Sequence, residues 1–298
     1  MRLVTRADLD GLACAVLITA SEKVDEIALV HPQDITDKRI AITPDDILAN
    51  LPYHPAAGKW FDHHLLTESN ERPPEKFEGR YGLAPSAARV VFEYYIEKNP
   101  FLKKYETLLA ETDRLDSAQL NIDDVLDPKD YILLGYTLDP RTGLGAYQDY
   151  FRRLVQWVHS KPIDEIMQLL EVQERVATMR EQDESFREVM VANSRLDSHV
   201  VVSELRHVSP RPVGNRFLIY TLFPQASISL RVQWGPSRDQ VAAIAGHSIF
   251  NRTSRTNVGA LMSRYGGGGH KGAGSCLLPA ASADQAIGEL IATMKKDG

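Results

Sequence analysis

Along the first hundred positions, apolar residues fall into short clusters separated by polar punctuation. Leu3-Val4-Thr5, Glu26 to His31, Asp46 to Leu51 and Lys59-Trp60-Phe61 read as four short strands carrying β-branched and aromatic side chains. Leu12 to Ala20 has helical spacing, and a long helix is predicted to open with Pro85 at its first position and run to about Glu97. Strands alternating with helices at this spacing predict βαβ units around a mostly parallel sheet. From Ile163 to Val191 the period changes. Ile163, Ile166, Met167, Leu170, Val176, Met179, Phe186, Val189 and Met190 recur at spacings of mostly three and four among charged residues, which predicts an amphipathic helix or helix pair. Such a stripe suits a connector packed on the domains it joins, and a partner-binding helix is the sharper alternative.

After Asn193 the pattern becomes strand-rich. His199 to Leu205, Arg216 to Phe223, Ser227 to Trp234 and Gln240 to Ile249 are predicted strands, with Pro210, Pro212, Gly214 and Gly235-Pro236 as punctuation. A helix from about Asn257 to Tyr265, a strand near Ser275 to Leu278 and a helix from Ala283 to Met294 complete the chain. The divisions predict a first domain over 1–127, a helical connector over 128–193 and a smaller α/β domain over 194–298.

Length and composition narrow the function classes. A chain of 298 residues can bury two cores without staples, and 43% hydrophobic with 25% charged residues excludes a disordered chain. The two cysteines, Cys14 and Cys276, stand far apart and form no disulfide framework, as in a reducing compartment. No stretch approaches the ~20 apolar residues of a membrane span, and the start Met1-Arg2-Leu3-Val4 lacks a signal-peptide pattern, so a cytoplasmic protein without membrane partners is expected. A net charge of −6 argues against gripping long duplex nucleic acid, which is done by counterion release along a basic stripe. It leaves room for a small phosphorylated substrate held by a few clustered arginines.

Three segments of the first domain carry candidate chemistry: Asp8-Leu9-Asp10-Gly11 after the first strand, Asp62-His63-His64 after the fourth, and Asp113-Arg114-Leu115-Asp116-Ser117 beyond a helix. In open α/β sheets, ligands gather at the carboxyl ends of strands. Carboxylates with imidazoles suit Mn²⁺ or Mg²⁺, which can activate water and clamp both oxygens of a phosphoryl transfer. Each segment alone is weak, since Asp-x-Asp-Gly is common in turns and a His-His pair is common in polar loops. The fourth segment, Tyr265 to Ser275, concentrates glycines around His270 and Lys271. Successive exposed amides form an anion nest, so Gly267, Gly268, Gly269, His270 and Lys271 read as a phosphate cradle, with a flexible linker as the alternative.

The combination of Asp8-Leu9-Asp10-Gly11, Asp62-His63-His64, Asp113 and Gly266 to Gly274 around His270 resembles the DHH/DHHA1 phosphoesterase superfamily. That superfamily includes RecJ-like exonucleases, oligoribonucleases and cyclic-dinucleotide phosphodiesterases, and within it the compact bacterial exopolyphosphatase-like group is the most similar. The resemblance implies an α/β fold: an N-terminal DHH domain with a mostly parallel sheet, a C-terminal DHHA1 domain and an active-site cleft between them. It implies Asp8 on one metal ion and Asp10, His63 and Asp113 on another. Asp62 and His64 would be catalytic, His64 hydrogen-bonding the substrate phosphate or a metal ligand, while His270, the glycine amides and Arg252 or Arg231 would hold the rest of the substrate. Two positions depart from the pattern. Arg6 stands where many relatives have histidine, and Asn50 stands where most have the bridging aspartate ligand. A guanidinium cannot ligate a metal, so a one-metal enzyme with Arg6 covering a phosphate charge is expected.

The implied activity is hydrolysis of a small phosphodiester, either a dinucleotide or the end of a short single-stranded oligonucleotide, with Mn²⁺ or Mg²⁺ as cofactor. Cleavage of polyphosphate or another phosphoanhydride or monoester, and a catalytically weak nucleotide-binding regulator, are the alternatives. A homodimer is compatible with all of them.

Overall fold

In a computed structural model the described residues are 1–64, 75–138, 146–210 and 213–298, so Pro212 lies outside them. Contacts divide the chain into two compact units, the first comprising 1–120 and 128–179, the second 121–127 and 180–298. Residues 128–179 of the expected connector thus group with the first unit and 180–193 with the second.

In the first unit the strands are β1 (Arg2–Thr5), β2 (Glu26–Leu29), β3 (Asp46–Ala49), β4 (Lys59–Asp62) and β5 (Gly79–Tyr81), with α1 (Leu9–Thr19) and α2 (Pro32–Thr36) between them. All pair in parallel, in the order β2-β1-β3-β4-β5. The order reverses between β1 and β3, and the crevice at the carboxyl ends beside such a reversal is where open α/β sheets bind ligands. Both faces are covered, as a parallel sheet requires. One face carries Leu3, Ile47, Ala49 and Phe61 against α1, whose residues from Leu9 to Ile18 are all buried. A helix apolar on every side is a core helix. The other face carries Val4, Leu48 and Trp60 under Ile35 and a group of half-buried aromatics, in which Trp60 stacks on Tyr81.

Four α-helices come next after β5, and the first two position the chemistry. These are α3 (Ala87–Tyr95), α4 (Glu106–Asp116), and the short α5 (Ile122–Leu126) and α6 (Asp130–Tyr136), α5 grouping with the second unit. Then come α7 (Gln148–Ser160), α8 (Ile163–Met167) and α9 (Leu170–Asn193), the last two being the helix pair expected from the apolar period. The helix predicted to start at Pro85 starts two residues later, because Ser86 caps it by accepting from the Arg89 amide.

The second unit holds β6 (Ser194–Asp197), β7 (Val200–Glu204), α10 (Leu218–Leu222), β8 (Ile228–Trp234), β9 (Gln240–His247), α11 (Val258–Ser263), β10 (Gly268–His270), β11 (Ala273–Pro279) and α12 (Ala283–Asp297). Its sheet is mixed, in the order β10-β11-β9-β8-β7-β6, with β7 and β8 the parallel pair. Val200, Leu230, Val232, Val241 and Ala243 on one face pack on Leu261, Met262, Leu290 and Met294 from α11 and α12.

Two expectations are corrected here. Arg216 to Phe223 is not a strand. Its apolar run Phe217-Leu218-Ile219-Tyr220 has no decisive period, and it coils into α10, where the Tyr220 hydroxyl donates to the Gly246 carbonyl at 2.7 Å. The glycine-rich segment is not an open loop but a hairpin, with His270 opposite Ala273 and Lys271-Gly272 as its turn. Its glycines answer to close packing. A Cβ at Gly267 would lie 2.1 Å from the Ser275 carbonyl oxygen, and one at Gly259 in α11 would lie 2.5 Å from that of Gly269.

Gly259→Ala should therefore lift α11 off the hairpin and lower stability by ~1–3 kcal/mol, the usual cost of overpacking. An unchanged urea midpoint would contradict this packing.

Candidate metal centre

Asp8 ends the turn after β1 as the cap of α1, its Oδ1 accepting from the Gly11 amide at 2.8 Å. Asp10 follows in the first helical turn and points into the protein, 2% exposed. Its Oδ2 accepts from the Ala87 amide at 2.9 Å and its Oδ1 from the Ala88 amide at 2.7 Å, so the start of α3 is wrapped around this carboxylate. Free amides and the helix dipole favour an anion there.

His63 follows β4. Its Nδ1 donates to the Ala84 carbonyl at 3.0 Å, which fixes the ring and leaves Nε2 as the inward atom. Nε2 is buried and has no hydrogen-bond partner among the described residues, lying 3.7 Å from Asp10 Oδ2 and 3.2 Å from Asp116 Oδ2. Asp10, His63 and Asp116 offer three ligand atoms within 4.8 Å of one another. Burial pushes the Asp10 carboxyl well above the ordinary carboxylate range. The Asp116 and Asp8 carboxylates add to this, against the pull of the Ala88 and Ala87 amides. Burial also raises Asp116, and His63 opposes the shift. Acceptors converging without donors call for a positive charge at their meeting point, and two carboxylates with one imidazole suit Mn²⁺ or Mg²⁺.

Asp113, expected among the ligands, is not brought to this point. Its Oδ1 accepts from Ser86 Oγ at 2.6 Å and its Oδ2 is gripped by Arg89, with Nε at 2.9 Å. Asp116, three residues further along α4, stands beside His63 instead. Residues at i and i+3 share a helix face, so the spacing of the segment allowed either aspartate, and only the location of Arg89 distinguishes them.

Asp62, His63 and His64 form a second, adjoining group. Asp62 is 1% exposed, and its Oδ1 accepts from His64 Nδ1 at 2.7 Å. That bond raises the pKa of His64 against the effect of burial. The Tyr81 hydroxyl donates to the His64 carbonyl at 2.8 Å.

Asp8 is turned to other partners. Asn50 Nδ2 donates to its Oδ1 at 3.1 Å, and Arg6 Nε lies 3.1 Å from its Oδ2. Arg6 thus places a fixed positive charge beside Asp8, where the family resemblance implied a metal ion.

In the second unit, His270 ends β10 with its Nδ1 accepting from the Gly272 amide at 3.3 Å. The Gly266 and Gly267 amides donate to the Ser263 and Met262 carbonyls, so these two do not form the expected anion nest. Gly268 and Gly269 lie in the hairpin ladder, and Lys271 sits in its exposed turn. Arg252 folds back to donate to the Ile249 carbonyl at 2.9 Å. Arg231 lies in β8, paired with Ser203 and Ile244.

No protein-family model matches this sequence, and no curated protein does. The pGpG-specific phosphodiesterase PggH from Vibrio cholerae is 40% identical, with a TM-score of 0.84, over 100% of this chain and 99% of that one. The chain belongs to the DHH/RecJ-like phosphoesterase superfamily. Two further DHH structures share the fold alone. One is the DHH domain of a member of a ribosomal-protein family, with a TM-score of 0.68 and 13% identity over 98% of this chain and 86% of that one. The other is RecJ from Thermus thermophilus in complex with Mn²⁺, with a TM-score of 0.58 and 11% identity over 99% of this chain and 52% of that one. As a member of this superfamily the protein is a phosphoesterase, a hydrolase of phosphodiester bonds. Among the described residues no helix is long and apolar enough to cross a membrane.

Removing a ligand should weaken cation binding by more than the ~10–100-fold typical of losing an outer partner. Calorimetric titration of His63→Ala and of Asp116→Asn with Mn²⁺ checks this. Undiminished affinity in either variant would remove that residue from the set.

Proposed function

We propose that this DHH phosphoesterase hydrolyses a linear dinucleotide carrying a 5′-phosphate, of the pGpG kind, using one divalent ion per chain. The observation that carries the reading is the 40% identity, over essentially the whole of both chains, with a phosphodiesterase specific for pGpG. Asp10, His63 and Asp116 would hold the ion, for which Mn²⁺ is the first candidate. Lewis acidity toward a phosphate oxygen and toward the attacking water is the chemistry such an ion supplies when bound.

The chain's own residues account for the rest. Arg6 sets a permanent positive charge beside Asp8, which suits it to a non-bridging phosphate oxygen without any second ion. Asp62 holds His64 Nδ1, so that His64 Nε2 can meet the phosphate, and the raised pKa favours the protonated ring. From Nε2 a proton can pass to the leaving oxygen. His270, Lys271, Arg231 and Arg252 contribute to holding the distal phosphate or base, with His270 presented at the rim of the hairpin. The reducing cytoplasm suits a protein whose two cysteines are both free and buried.

Hydrolysis of pGpG to two mononucleotides, followed with Mn²⁺ present and after chelation, tests the substrate. A cyclic dinucleotide, a nucleoside bisphosphate and polyphosphate serve as competitors. Preferred turnover of any competitor would sink the dinucleotide reading, and tight binding of pGpG without turnover would point to a regulator. Calorimetry should count one tight Mn²⁺ per chain. Two fully occupied ions about 3.5–4 Å apart in Mn²⁺-soaked crystals, the spacing of two-metal sites, would refute the single-ion scheme.

His270→Ala should leave melting temperature and bound Mn²⁺ unchanged while lowering turnover by roughly 10²–10³, the range seen when one preorganised donor is lost. A fall in stability at constant turnover per folded molecule would instead make His270 a residue of the hairpin turn only.

A further inference from the structure

We infer that Asp113 is a positioning residue, which orients the cation ligands Asp10 and Asp116 by clamping the start of α3 to α4. The inference rests on the single-ion reading above. The segment from Ala84 to Arg89 serves the centre in three ways. The Ala84 carbonyl orients His63, the Ala87 and Ala88 amides hold Asp10, and Ser86 caps the helix that presents those amides. Asp113 grips this segment at two places, Ser86 Oγ and the Arg89 guanidinium.

The direction of the Ser86 bonds matters. A hydroxyl has one proton. The Asp113 carboxylate takes it at 2.6 Å, so the oxygen lone pairs face the Arg89 amide, which donates at 3.0 Å. Asp113 thereby fixes the capping rotamer of a side chain that is fully buried. The Arg89 guanidinium donates through two nitrogens to Asp113 Oδ2, a charge-assisted contact that holds the first turn of α3 against α4. Asp116 lies one helical turn beyond Asp113, so the same clamp fixes the reach from Asp116 to His63 and Asp10. The arginine also neutralises Asp113, whose carboxylate therefore serves the clamp and not the ion.

Calorimetric Mn²⁺ titration and pGpG kinetics on the full-length protein test this with Asp113→Asn, Arg89→Gln and the double variant, beside Asp116→Asn. The expected result is a ~10–100-fold weaker Mn²⁺ affinity for Asp113→Asn and for Arg89→Gln, the range for loss of an outer partner. Stoichiometry should stay at one, and most of the turnover should return at saturating Mn²⁺. The double variant should be no worse than the single ones, because the two side chains act as one unit. Asp116→Asn should not recover with added Mn²⁺. Unchanged affinity in Asp113→Asn would overturn the inference, and so would a loss that excess Mn²⁺ cannot repair, which would make Asp113 a ligand. Should Asp113→Asn melt below the assay temperature, Arg89→Gln carries the same test, and undiminished affinity there overturns it. Failure of the unaltered protein to cleave pGpG would reject the substrate reading while leaving the affinity comparison intact.

Discussion

Electron-pair donors that face one point, with Asp10 buried, His63 nearly so and Asp116 open to solvent, impose the constraint on which the first unit depends. His63 Nε2, Asp10 Oδ2 and Asp116 Oδ2 meet with no hydrogen-bond donor from the described residues between them, two of their side chains nearly sealed from solvent. Without a cation such a group opposes folding, because desolvation and mutual repulsion both disfavour the ionised carboxylates. The fold keeps the ligands in place by assigning their outer atoms elsewhere. Asp10 is tied to the amides opening α3, and His63 is tied to the Ala84 carbonyl. A helix start, a turn and two strand ends are thereby built around a charge.

Beside this centre, at the carboxyl ends of β1 and β3, the protein has solved a similar problem with its own side chains. Asp8 is compensated by the Gly11 amide, the Asn50 amide nitrogen and Arg6. Asn50 leaves β3 with φ of +58°, a left-handed conformation that asparagine tolerates better than most residues. Its backbone amide donates to the Phe61 carbonyl at 3.0 Å, which anchors the turn to the end of β4. A neutral amide and a guanidinium thus surround Asp8, and the arginine places a positive charge there.

The glycine segment of the second unit shows how one residue type can serve two ends. Its glycines let the hairpin lie against α11 and let the two strands approach closely. The turn is pinned from outside as well, by His247 donating its amide to the Gly272 carbonyl at 2.8 Å and Val258 donating to that of Lys271 at 3.0 Å. The hairpin is thereby fixed to β9 and to the start of α11, with His270 at the end of β10.

Much of this was legible in the residues themselves. The alternation of strands and helices determined the parallel sheet, because buried strands and crossover helices have distinct apolar periods. Asp8, Asp10, His63 and His64 stood out because short polar segments followed the predicted strands, where open sheets place their chemistry. Arg6 and Asn50 were visible as departures from the family pattern, and both lie against Asp8. The tertiary structure alone decided the choice between Asp113 and Asp116. The two share a face of α4, and the arginine that claims Asp113 lies 24 residues away in sequence. It alone decided that Arg216 to Phe223 coils and that the glycines form a ladder, since both outcomes depend on what packs above them. Local periodicity records which side of an element is buried. It does not record which distant charge a carboxylate will meet.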